Sequence, residues 1–217
     1  MRDLPANPGP KDLLPGGIGW EVEIGFGKGR YLLRRALEEP ERRFLGVEIA
    51  AEYFALLAHR AARRGAANLL AIRGDASYLL AAVLPKGFAE AVHVYFPDPW
   101  PKSRHHKRRL FDVETVDLVL GLLAPGGRFY FATDFLAYGE LVAEILAGYP
   151  GLTLERVSGP WPEGARTNYE AKYEVEGRPI LRLIARRIDA AAPAAFHPEG
   201  RAALVTAFPL DLTGASQ

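Results

Sequence analysis

From residue 20 onward, short apolar runs of strand length alternate with helix-length segments, and this alternation restricts the fold more than any other feature of the chain. Parallel strands need crossover connections, so a repeated β-then-α rhythm points to a parallel sheet with helices on both faces. Strands are expected at residues 20–24, 44–49, 69–73, 91–96 and 128–132, the fourth apolar enough for the sheet centre. Helices are expected at 29–39, stopped by Pro40; at 50–64, closed by Gly65; at 110–123, broken by Pro125-Gly126-Gly127; and at 135–147. Two late strands, 152–157 and 180–187, follow the last helix. The expected fold is therefore α/β: a doubly wound, seven-stranded, mostly parallel sheet with an antiparallel edge hairpin.

A chain of 217 residues, 49% of them hydrophobic, is long enough for one sizeable core. Residues 1–17 carry Pro5, Pro8, Pro10 and Pro15 with Gly9, Gly16 and Gly17, and read as a mobile arm before a single domain at 18–188. Residues 189–217 form an alanine- and proline-rich tail with one apolar patch at 203–210. No apolar run approaches the roughly 20 residues of a membrane span, and no signal peptide is evident, so a cytoplasmic protein is expected. The absence of cysteine excludes disulfides, thiolate zinc sites and a cysteine nucleophile. Net charge is only +1, from 27 basic and 26 acidic residues, so any affinity for nucleic acid has to come from local clustering.

The glycine-rich run Glu23-Ile24-Gly25-Phe26-Gly27-Lys28-Gly29 lies where the first strand turns into a helix. Glycines there permit a tight turn and let a nucleotide-like ligand lie against bare backbone, although a βα loop that merely needs positive φ looks the same. Glu48 ends the second strand 23 residues after Gly25, near the offset at which a carboxylate accepts hydrogen bonds from ribose hydroxyls. Asp75, after the third strand, is placed to meet an adenine amino group. A dinucleotide fingerprint wants Gly or Ala three residues after Gly27, where this chain has Arg30. Glu23 would repel a pyrophosphate but suits a ligand bearing an ammonium group and a sulfonium centre.

The most specific stretch follows the fourth strand: Phe96-Pro97-Asp98-Pro99-Trp100-Pro101-Lys102, continued by Ser103-Arg104-His105-His106-Lys107-Arg108-Arg109. It falls at the carboxyl edge of the sheet, where doubly wound folds bind ligands, and its prolines hold the backbone around Asp98. Lys102, Arg104, Lys107, Arg108 and Arg109 place five permanent positive charges in eight residues with no acid among them, the density of a phosphate-binding segment. His105 and His106 are adjacent, so they lack the four-residue spacing of helical metal ligands, and RNA contact suits them better. No metal site is expected.

These residues together resemble the bacterial tRNA (guanine-N7-)-methyltransferases. The likeness spans about 20–187 and rests on Glu-Ile-Gly-Phe-Gly at 23–27, Gly-Val-Glu at 46–48, Phe-Pro-Asp-Pro-Trp-Pro-Lys at 96–102, Ala-Thr-Asp at 132–134 and Thr-Asn-Tyr-Glu at 167–170. The resemblance implies a Rossmann-like class I methyltransferase that moves a methyl group from S-adenosyl-L-methionine to guanine N7 in the variable loop of tRNA, at position 46. It implies that Glu23, Gly25, Gly27, Glu48, Asp75 and Asp98 contact the methyl donor, and that Asp98 is the catalytic residue. It further implies that Lys102, Asp134, Thr167, Asn168, Tyr169 and Glu170 hold the substrate, with RNA gripped by Arg104, His105, His106, Lys107, Arg108 and Arg109. The implied partner is tRNA, without membrane or metal, and either a monomer or a homodimer is compatible.

Guanine N7 carries a lone pair and no proton, so methylation there needs no general base. Asp98 is expected instead to orient the base and offset the positive charge that passes to it. Asp134 and Glu170 are candidates to accept hydrogen bonds from the guanine ring NH and amino group. Asp134 can equally cap the helix that follows, and Glu170 can be an exposed loop charge. Trp100 and Tyr169 can stack on bases or simply pack. A nicotinamide-dependent oxidoreductase is disfavoured by Arg30 and the basic segment. A non-catalytic RNA-binding module leaves Glu23, Glu48 and Asp75 without purpose, and a methyltransferase acting on another RNA base stays open.

Overall fold

The computed structural model describes residues 18–98 and 113–188. The arm at 1–17, the tail at 189–217, Trp100, Lys102 and the basic run from Arg104 to Arg109 lie outside the described residues.

Seven strands form one sheet in the order β3-β2-β1-β4-β5-β7-β6. They are β1 (Ile18–Ile24), β2 (Arg42–Glu48), β3 (Leu69–Arg73), β4 (Ala89–Tyr95), β5 (Leu123–Thr133), β6 (Leu152–Arg156) and β7 (Leu181–Arg187). The first five pair in parallel, whereas β7 runs antiparallel to both β5 and β6. Helices α1 (Arg30–Glu38), α2 (Ala51–Arg64), α3 (Ala76–Tyr78), α4 (Val113–Leu122), α5 (Leu136–Ala147) and α6 (Asn168–Val175) supply the crossovers and one insertion, and a π-helical turn (Leu79–Val83) extends α3. The doubly wound, mostly parallel sheet with its antiparallel edge pair is as expected, but the pair is no tight hairpin. Residues 157–180, with α6 among them, join its two strands, and β7 inserts between β5 and β6. Pro125-Gly126-Gly127 also stays inside β5, where pairing slips from Ala89 opposite Leu123 to Ala91 opposite Arg128.

Amphipathic spacing explains how the helices seat. In α5, Tyr138, Val142 and Leu146 recur at four-residue intervals and are buried, with Gly139 and Ala143 beside them. They join Val22, Val92, Val94, Phe129 and Phe131 in the larger core. On the opposite face α1 and α2 press Leu32, Ala36, Leu57 and Ala61 onto Phe44. Gly46 makes that approach possible, since a Cβ there would come within 2.5 Å of Leu32 and 2.6 Å of Phe26. The chain winds outward from β1 through β2 to β3 and then crosses back to β4 on the other side of β1, so the order reverses at the β1–β4 step, the point where doubly wound sheets bind ligands at their carboxyl ends.

Candidate active site

The loop leaving β1 turns on Gly25 (φ 71°) and Gly27 (φ 51°), a left-handed backbone that side-chain-bearing residues avoid. A Cβ at either position would meet no protein atom within 4 Å, so the loop presents bare backbone to open space. Gly25 donates its N–H to Val47 O at 2.8 Å, which ties the turn to β2. Gly27 donates to Glu48 Oε2 at 2.8 Å, while Ile49 and Ala50 donate to Glu48 Oε1 at 2.9 Å each. Three backbone donors therefore fix this carboxylate: Oε1 accepts two of them and Oε2 one, which leaves Oε2 a lone pair for an incoming hydroxyl.

Glu23 differs sharply. It is 2% exposed and its Oε2 has no hydrogen-bond partner. Burial pushes its carboxyl up to about 8; the Leu32 backbone N–H and the charge of Arg166 oppose the rise and that of Glu48 adds to it. A buried carboxyl with an unused oxygen at a cavity floor has the chemistry to receive a cationic group.

One cavity of about 780 Å³ joins Glu23, Gly25, Gly27, Glu48 and Asp75 on one side to Asp98, Thr167, Asn168 and Tyr169 on the other. Asp75 is exposed and caps the short α3, accepting from Tyr78 N at 3.0 Å. Asp98 is exposed two residues beyond Phe96, whose φ of 52° is the one left-handed backbone among the described non-glycine residues. Phe96 is held there by its N–H on Ala132 O at 2.7 Å and by its ring against Tyr173, centroids 5.6 Å apart. Backbone strain thus sits immediately before the carboxylate expected to carry the chemistry.

Two expected substrate contacts fall elsewhere. Glu170 is fully buried and does not line the cavity. Its Oε2 accepts from Arg166 N at 2.7 Å and its Oε1 from Arg182 Nε at 2.8 Å, while its own N–H caps onto Thr167 Oγ1 at 3.0 Å. Its carboxylate anchors the start of α6 in the manner of a capping box, so it is a structural anchor and not an exposed loop charge. Asp134 also lies off the cavity, paired with Arg178 Nη1 at 3.5 Å. Nor does it cap α5: Phe135 is the N-cap, and its N–H goes to Thr133 Oγ1 at 3.1 Å.

Sequence reasoning missed Lys172 on the cavity wall and a largely buried cluster at and behind the floor, comprising Tyr31, His93, Tyr95, Tyr130, Trp161 and Arg166. The signal that could have found the cluster is Glu21-Val22-Glu23, two acids at alternate positions of a strand otherwise apolar enough to be central. Among the described residues no group of His, Asp and Glu has the arrangement of a metal site, and no helix is long and apolar enough to cross a membrane.

A family model described as "Putative methyltransferase" matches residues 20–183. A tRNA (guanine-N(7)-)-methyltransferase of Nitrosococcus oceani is 39% identical over 166 residues, covering 76% of this chain and 70% of that protein. One from Rhodopirellula baltica is 35% identical over 200 residues, covering 86% and 72%. Among solved structures, the 16S rRNA methyltransferase KamB superposes with a TM-score of 0.60 at 16% identity, covering 82% of this chain and 92% of that one. The 16S rRNA (adenine(1408)-N(1))-methyltransferase of Catenulisporales acidiphilia, solved with its cosubstrate SAM, gives 0.57 at 19% identity, covering 82% and 90%. The two structures share this fold.

Proposed function

The chain belongs to the family of bacterial tRNA (guanine-N7-)-methyltransferases, and from that premise we propose that it transfers a methyl group from S-adenosylmethionine to N7 of a guanine in tRNA, the guanine at position 46 of the variable loop. The observation that carries this reading is the single cavity in which the unpartnered oxygen of Glu23 and the fixed carboxylate of Glu48 share space with Asp98.

The donor set fits S-adenosylmethionine. Glu23 Oε2 would take its ammonium group, Glu48 Oε2 a ribose hydroxyl, and the bare backbone at Gly25 and Gly27 allows close approach. When bound, the sulfonium supplies an electrophilic methyl carbon: the N7 lone pair forms the new bond as the carbon–sulfur pair returns to sulfur, and no proton has to move. Asp98 then serves the charge that arrives on the guanine imidazole ring, orienting the base and offsetting that charge across the shared cavity. Tyr169, 56% exposed on the cavity wall, offers a face on which an extruded base can stack, and Asn168 and Lys172 flank it with polar groups. The basic run from Lys102 to Arg109 suits the phosphates around that base.

The deciding experiment incubates the protein with unmodified tRNA and methyl-labelled donor and identifies the product nucleoside. N7-methylguanosine is expected, and it should vanish when the variable-loop guanine is replaced by adenine. Label in another nucleoside, or persistence after that replacement, would refute the assignment. Asp98→Asn should lower kcat about a hundredfold at saturating substrates.

A further inference from the structure

The stretch between β6 and β7 brings Thr167 and Asn168 to the cavity, and one buried cation fastens that stretch to the sheet. Arg166 is 6% exposed. Its guanidinium carbon lies 3.9 Å from the ring centroid of Trp161, 4.8 Å from Tyr130, 5.1 Å from Tyr31 and 5.7 Å from Tyr95. Nη1 donates to Tyr95 Oη at 2.6 Å, and Nε donates to Glu163 Oε1 at 2.6 Å. Its backbone N–H donates to Glu170, which anchors α6. One residue thus touches α1 through Tyr31, β4 through Tyr95, β5 through Tyr130 and the start of α6 through Glu170.

Two of those contacts, Tyr31 and Tyr95, also line the cavity next to Glu23, and the residue after Arg166 is Thr167 on the opposite wall. We infer that Arg166 is a positioning residue for methyl transfer, holding the Tyr31–Tyr95 floor beneath the donor and the Thr167–Asn168 wall beside the base at one fixed separation. This rests on the methyltransferase reading above. Packing alone does not account for a charge here, because an apolar side chain of similar volume fills an aromatic box without the desolvation that a buried guanidinium suffers. What an apolar residue cannot do is donate to Tyr95 and Glu163 from one planar fork while placing positive charge near Glu23. The groups facing Glu23 are Glu48 from β2, Tyr31 from α1, Tyr95 from β4 and Arg166 itself, and of these Arg166 alone brings permanent positive charge.

The test uses the full chain with Arg166→Met, Arg166→Lys and Tyr95→Phe. Folding is followed by urea denaturation, S-adenosylmethionine binding by calorimetry between pH 6 and 9, and kcat and KM with unmodified tRNA. Arg166→Met should lose tenfold or more in kcat with KM for tRNA changed less than threefold. The pH at which donor binding is half-maximal should also move upward, since Glu23 loses its counter-charge. Arg166→Lys should keep that pH while losing part of kcat, because an ammonium cannot span Tyr95 and Glu163 together. Tyr95→Phe, which deletes a single donor–acceptor contact, should lose a few-fold in kcat with the pH unchanged. A folded Arg166→Met with kcat within twofold of the parent and an unmoved pH would overturn the inference. Should that variant not fold, Arg166→Lys and Tyr95→Phe decide, and kcat within twofold in both would overturn it equally. A parent protein that binds no donor would refute the proposed function instead.

Discussion

On one face of the sheet Val22, Ile24, Val92, Val94, Phe129, Phe131, Leu183 and Ala185 meet α4 and α5 in a continuous apolar layer. On the other, the alternating positions of the same strands carry Glu21, Glu23, His93, Tyr95, Tyr130 and Arg182, covered by α1 and by residues 157–180. The apolar face gains from every ångström of area removed from water and asks nothing of geometry beyond close packing. The polar face has to satisfy each group separately. Glu21 manages it: burial works against its charge, yet His93 and Arg35, the latter at 2.8 Å, hold its carboxyl down to about 2. Glu23, two residues along the strand, has no such partner and keeps its proton well into the neutral range. Two identical residues on one strand face thus divide into a structural ion pair and a carboxyl with one oxygen unpaired at the cavity, according to which end of the strand each occupies.

The sharpest way to break this comparison is to cut each face once. Phe131→Ala should cost about 3 to 5 kcal/mol by leaving a cavity in the apolar layer. Glu170→Ala, on the polar side, should cost about as much, because Arg182 Nε and the Arg166 N–H lose their acceptor inside the protein and Glu174 alone is left to pair with Arg182. Urea denaturation measures both. The two should differ in activity measured well below their melting temperatures: Phe131→Ala keeps the KM for tRNA, whereas Glu170→Ala raises it as the start of α6 loosens. Loss of guanine selectivity in a folded Glu170→Ala would instead return that residue to the base-recognition role expected from sequence.

Next in size is Glu23→Gln. The raised value means that the proton on Glu23 favours the folded chain at acid pH; that contribution begins to fade above about 4.5, its ordinary value, and is gone above about 8. Thermal melts of the ligand-free protein should show stability falling across that window in the parent and a flatter profile in the variant. Donor binding should show the complement. If the carboxylate receives a cation, parent affinity gains up to about tenfold per pH unit below 8 relative to the variant, a ratio in which the ligand's own ionisation cancels. A parent-to-variant ratio that is flat with pH would remove Glu23 from the binding account.

On both faces the regular elements were the legible part. The strand at residues 69–73 coincides with β3, and α1, α2 and α5 begin and end within a residue of expectation, because hydrophobic period and glycine or proline stops act locally. The helix α6 was not foreseen, since Asn-Tyr-Glu-Ala-Lys-Tyr-Glu-Val has no apolar stripe and buries only Glu170. Its start signal was nonetheless present: Thr167 followed three residues later by Glu170 is a capping box, and the motif reading of the same residues masked it. The π-helical turn after Asp75 has no counterpart in periodicity at all. Of the site, the glycine loop, Glu48 and Asp98 were legible because strand ends are. Arg166 and Arg182 were not: nothing local distinguishes a buried arginine from a solvated one, and their burial is decided by rings that arrive from β4 and β5 and by acids on α6, a helix that was itself not foreseen.

The smallest expected effect falls where the two faces' logics meet, at Thr167, which caps α6 and also lines the cavity. Thr167→Ala should cost about 1 kcal/mol, the worth of an N-cap, and Thr167→Asn should restore that stability because an amide oxygen caps as well as a hydroxyl. The asparagine removes the hydroxyl without adding charge. If Thr167 serves the fold alone, the KM for tRNA should follow stability, and the asparagine variant should bind like the parent. If the hydroxyl also faces substrate, the asparagine variant should be the more stable of the two and still bind tRNA more weakly than the parent, a parting of stability and affinity that a purely structural cap cannot produce.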